Sequence, residues 1–182
     1  MEFTLYKTKK MESFKLNASG ALQVHPSPSS SKTDFDFLIG NGNIHNRKLA
    51  SRLENCDEWL EFEATQEVRK ILLGLGNIDF FRPGPGNPRF EGMTLRLFDD
   101  TNKLWSIYWA DSLKGTMDPP VTGSFDKGIG HFFTRDVYKD IPVLVAFKWE
   151  ANRDNPVWSQ AFSADNGQTW EWNWYMHFSR ID

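Results

Sequence analysis

Trp170-Glu171-Trp172-Asn173-Trp174-Tyr175-Met176-His177-Phe178-Ser179-Arg180 alternates bulky apolar and polar residues along its whole length. Such a period of two belongs to an extended chain with one buried face, because successive side chains of a strand point to opposite sides. The run holds three of the eight tryptophans, so the face it buries is aromatic. It predicts a sheet closed around an aromatic interior, with Glu171, Asn173, Tyr175 and His177 on the outward side.

Upstream, Ile44 to Ser51, Trp59 to Ile71, Asn77 to Arg82, Phe90 to Phe98, Leu104 to Ala110, Val121 to Phe125, Ile129 to Thr134, Ile141 to Trp149 and Val157 to Phe162 read as further strands, about ten in all. Their links are short and rich in turn residues, for example Asp126-Lys127-Gly128 and Asp165-Asn166-Gly167. Links of that length join antiparallel neighbours, since parallel strands need long crossovers. The predicted fold is all-β, an antiparallel up-and-down barrel, and closure removes the edges that invite aggregation. A helix over Glu54 to Leu73 competes at one place, where Glu, Gln, Lys and Arg raise helix propensity. Phe35 to Gly40 reads as a single helical turn or an extended plug.

Residues 1–33 read as a poorly structured N-terminal tail, and residues 34–182 as the barrel domain. The tail culminates in Pro26-Ser27-Pro28-Ser29-Ser30-Ser31, a composition that does not repay the entropy of ordering. Within it, Phe14 to Leu16 is the one short strand able to dock on the barrel.

With 182 residues, 40% hydrophobic and 15% aromatic, the chain can bury one core without disulfides. A net charge of −3 supplies no pull toward nucleic acid or an anionic membrane. Cys56 is the sole cysteine, which fits a reducing compartment. The first ten residues lack the apolar core of a secretion signal and no segment is long enough to span a bilayer as a helix, so a cytoplasmic protein is expected.

Phe37-Leu38-Ile39-Gly40-Asn41-Gly42 resembles the entry motif of lipocalins and their calycin relatives, in which a Gly-x-Trp packs at the closed end against an arginine from the last strand. Arg180 matches that arginine, whereas Gly42 stands where the tryptophan would be. Trp105-Ser106-Ile107-Tyr108-Trp109, Asp118-Pro119-Pro120-Val121-Thr122-Gly123-Ser124-Phe125 and Trp158-Ser159-Gln160-Ala161-Phe162-Ser163 are similar to a bacterial family of unknown function assigned to the calycin-like barrels. The resemblance spans about Asp34 to Asp182. It implies a lipocalin- or fatty-acid-binding-protein-like barrel and carries no activity with it.

Ser163-Ala164-Asp165-Asn166-Gly167-Gln168-Thr169-Trp170 matches the Asp-box of sialidases, yet one copy in a short chain reads as a turn device. Asp165 can accept N–H groups across the turn and Gly167 can supply a positive φ. The four histidines show no metal-ligand spacing, so no metal site and no cofactor are expected.

Polar residues that share a parity with buried aromatics are the candidate ligand contacts, since an inward polar group must find a partner. Gln66 lies between Ala64 and Val68, Gln160 lies between Trp158 and Phe162, and Arg47 precedes Leu49 by two. With Trp105, Trp109, Trp172, Trp174 and His131 they would frame an amphipathic pocket for a small apolar or aromatic ligand, bound without catalysis. The opposite expectation is that so many large side chains simply fill the barrel.

Three rival readings stay open. Calycin-like barrels include isomerases and decarboxylases, for which Arg47, His131 and Gln160 are the starting residues. A haem-binding barrel of the nitrobindin-like kind needs one axial histidine, from His45, His131 or His177. An interaction protein would use the strip Glu171, Asn173, Tyr175 and His177 as a homodimer contact.

Overall fold

The computed structural model describes residues 13–84 and 89–181. Its strands are β1 (Phe14–Leu16), β2 (Leu22–Val24), β3 (Gly40–Leu49), β4 (Trp59–Ile71), β5 (Gly76–Pro83), β6 (Gly92–Asp99), β7 (Leu104–Asp111), β8 (Val121–Asp126), β9 (Ile129–Tyr138), β10 (Ile141–Glu150), β11 (Val157–Ser163) and β12 (Glu171–Arg180). Strands β3 to β12 form a closed antiparallel barrel of ten strands in which each pairs with its neighbours in sequence and β12 returns to β3. The up-and-down barrel expected from the alternation is therefore the fold.

Strand β4 shows why the extended form wins over a helix in the Glu54 to Leu73 segment. Ala64, Gln66 and Val68 are buried while Glu61, Glu63 and Thr65 are exposed, a period-two sorting that a helix would scramble. The exposed acids also meet bases across the ladder: Glu63 accepts from His45 Nδ1 at 2.6 Å, and Glu61 lies 3.8 Å from Arg47 Nε. Opposite charges facing one another across strands reinforce the register.

One end of the barrel is plugged. The single turn Asp36–Leu38 precedes β3, and Phe35 just before it makes edge-on contacts with Trp105 and Phe125, each at 4.9 Å between ring centres, and with Trp149 at 5.7 Å. Arg180 Nη2 donates to the Phe37 carbonyl at 3.3 Å, tying the last strand to the plug. Gly42 pairs with Arg180 in the ladder and brings no side chain, so Phe35 supplies the aromatic filling of this end.

Residues 13–33, expected as part of a poorly structured tail, pack on the barrel. Residues 1–12 lie outside the described part, but β1 and β2 form a hairpin on the outer wall. Its Phe14, Leu22 and Val24 pack on Phe133, Ala146 and Ala161, together with Trp170 and Trp172. The Ser-rich stretch is ordered through side-chain bonds: Ser30 Oγ donates to Asp34 at 2.7 Å, and Trp105 Nε1 donates to Asp34 at 3.2 Å and to the Ser31 carbonyl at 3.3 Å. Composition alone underestimates such a segment because its hydroxyls, not its apolar area, hold it.

Candidate interior binding site

The interior splits into two zones. Near the plug the barrel is solid, with Phe35, Trp105, Phe98, Phe125, Phe132 and Trp149 in mutual contact. From mid-height to the opposite mouth it is hollow, with a cavity of about 440 Å³ walled by Phe81, Ile107, Trp109, Phe147, Trp158 and Trp174. It opens beside a wider shelf of about 630 Å³ that shares Phe81, Trp109 and Trp174 and adds Lys48, Phe62 and Phe90.

A polar band crosses the apolar wall, made by Gln66, Asp79, Thr94, Arg96 and Gln160. Arg96 and Asp79 are 4% and 3% exposed, and Arg96 Nη1 approaches Asp79 Oδ2 to 2.6 Å while donating to Asn77 Oδ1 at 2.9 Å. The guanidinium also lies 5.2 Å from the Phe35 ring centre and 5.7 Å from that of Trp149. The ion contact lies off hydrogen-bond geometry: among the described residues neither Asp79 Oδ2 nor Arg96 Nε has a hydrogen-bond partner. Desolvation cancels much of the attraction in a pair this deep, so it contributes polarity to the cavity rather than stability to the fold.

Gln160 is fixed by donating from Nε2 to Asn173 Oδ1 at 2.9 Å, and the Trp174 indole donates to Asn46 Oδ1 at 3.1 Å. Both asparagines are fully buried. Trp109 is seated by Gly92, where a Cβ would overlap the indole, so only glycine lets the ring lie against β6. Its Nε1 donates to Asp111 at 3.1 Å.

Of the sequence-derived site residues, Gln66, Trp109, Gln160 and Trp174 line the cavity. The other four do not. Trp105 is fully buried in the solid end. Arg47 faces outward, its guanidinium 4.4 Å from the Trp59 ring centre; the inward residue of that turn of strand is Asn46. His131 faces outward opposite Lys148 and Ser124, and burial followed by the Lys148 charge lowers its pKa. Trp172 lies on the outer wall under the β1–β2 hairpin.

The tryptophans part company at a bulge. Gln160 pairs with Trp174 but Ala161 with Trp172, so Asn173 is an extra residue and the parity of β12 reverses there. Trp174, Met176 and Phe178 point inward; Trp170 and Trp172 point outward. The same reversal breaks the supposed dimer strip, for Asn173 is fully buried against Gln160. Glu171, opposite Phe162 in the ladder, is held at the mouth, its two oxygens accepting from the Leu53 N–H, each at 2.9 Å.

Asp79, Thr94 and Arg96 are the members of the polar band that the sequence reading missed. The signal was present, since Asp79 shares the parity of Phe81 and Arg96 that of Phe98. The enzyme reading keeps only Gln160 of its three residues in the cavity, and among the described residues no histidine lines it. Among the described residues no group of three His, Cys, Asp or Glu is placed to hold a metal ion, and no helix is long and apolar enough to cross a membrane. The Asp-box residues behave as a turn: Asp165 accepts from Thr169 Oγ1 at 2.6 Å, from its N–H at 2.9 Å and from the Gln168 N–H at 3.0 Å, and Gly167 has φ +86°.

No family model matches the chain, and neither does any curated protein.

Proposed function

We propose that this ten-stranded barrel is calycin-like and binds a small and largely apolar or aromatic molecule in its interior, releasing it unchanged. The observation that carries the reading is the hollow half of the barrel: about 440 Å³ of space lined by aromatic side chains and crossed by Gln66, Thr94 and Gln160. Cavities of a few hundred Å³ with mainly apolar walls and a few directed polar groups accept drug-sized molecules. A core evolved only for stability would be filled to crystal-like density.

Titration with N-phenyl-1-naphthylamine, which fluoresces when its rings leave water, tests the reading. Saturable binding by the wild type and its loss in Thr94→Trp, which fills the polar band, support it. Binding that survives Thr94→Trp, or no binding by the wild type, contradicts it.

A further inference from the structure

We propose that the mouth of the cavity is an anion subsite in which Lys48 and Arg52 receive the carboxylate or sulfonate of a ligand whose apolar body lies in the barrel. This rests on the reading of the barrel as a binding protein and adds the charge of its ligand.

Lys48, the last residue but one of β3, stands on the inward side of the mouth, its Nζ 4.4 Å from the centre of the Trp174 ring. Arg52, in the following loop, lines the cavity with its guanidinium 5.3 Å from Phe162 and 5.8 Å from both Tyr138 and Trp174. Two cations therefore converge on one indole at the portal. Neither has a carboxylate within 4.0 Å among the described residues, whereas Lys114, which lines the same mouth, is paired with Asp118 at 3.0 Å.

The acids around the mouth are engaged elsewhere. Asp118 is held by Lys114 at 3.0 Å, Asp136 accepts from the Val137 N–H at 2.7 Å, and Glu171 holds the Leu53 N–H. Glu171 and Tyr138 act on Arg52 only through space. Burial, and next the charge of Arg52, push Lys48 down to about 8, the mark of a cation kept partly dry beside a like charge. Aromatic faces offset part of that cost, and an anion between the two cations would offset the rest. The apolar wall reaches up to the same indole, so one molecule can span both environments.

The test compares two probes with one apolar skeleton, neutral N-phenyl-1-naphthylamine and anionic 8-anilino-1-naphthalenesulfonate, on the full chain at pH 7 and low salt. The wild type is expected to bind the sulfonate about tenfold more tightly than the neutral amine. K48Q/R52Q should erase that preference and leave the amine's affinity within about twofold. Retained affinity for the amine also reports that the double variant is folded; if it is lost, the single variant R52Q and the salt dependence of the wild-type preference replace it, with a preference unmoved by R52Q or by salt overturning the proposal. A wild type that binds the amine but favours it over the sulfonate overturns the anion subsite and leaves the binding reading standing. Failure to bind either probe overturns both.

Discussion

Asp79 and Arg96 are the residues at which function and stability diverge most. Removing one member of a buried pair strands the other charge, so Asp79→Asn should lower stability by about 3 kcal/mol in urea titrations, while Asp79→Leu with Arg96→Met should be close to neutral or stabilising. The double variant should nonetheless alter ligand preference, because the cavity loses the charged members of its polar band. Asp165 offers a pH-resolved counterpart. Burial raises its pKa, but the bonds donated by Thr169, Ser163 and Gln168 outweigh that and hold it at about 2. A carboxyl depressed in the folded state stabilises above its unfolded pKa, near 4, and ceases to do so as pH falls through 2. The stability gap between wild type and Asp165→Asn, measured by thermal unfolding, should accordingly be near its full size above about pH 4, shrink as pH falls toward 2 and vanish only below about pH 2. Gly92→Ala would force the Trp109 indole off its seat, and weaker binding of N-phenyl-1-naphthylamine is the expected readout.

Strands were legible where one face is wet and ambiguous where both are dry. In β4 the acids sort outward and Gln66 falls inward as read. Strand β3 buries Ile44 and Leu49, which have opposite parities, so counting from Leu49 placed Arg47 inside when Ile44 gives the true face. Strands β9 and β10 are apolar on both sides because the β1–β2 hairpin covers part of the outer wall; Phe132 faces in and Phe133 faces out. An apolar neighbourhood therefore did not place His131 inside. In β12 the alternation is real, yet a single inserted residue sends its tryptophans to two sides, and no local pattern announces a bulge. The hairpin's contribution is measurable: Phe14→Ala should cost about 2 kcal/mol, less than a full core deletion because the site is half-buried, and should shift tryptophan emission to the red as Trp170 and Trp172 meet water.

At the scale of the molecule, one half of the barrel is a sealed aromatic core and the other a lined, open-mouthed space. The division follows from the chain: the Phe35 plug, the Trp105 indole bonded to Asp34 and the Arg180 tie close one end, while the other is framed by loops carrying Arg52, Lys114 and Asp118. The sealed half gives the open half rigid walls without having to fill it. A heavy-atom ligand locates the occupied space most directly. Crystals of the protein grown with 2-bromonaphthalene should show an anomalous bromine peak inside the barrel, bounded by Gln66, Thr94, Gln160 and Trp174; a peak confined to the outer wall near Trp170 and Trp172, or none in the barrel at saturating ligand, would contradict the account.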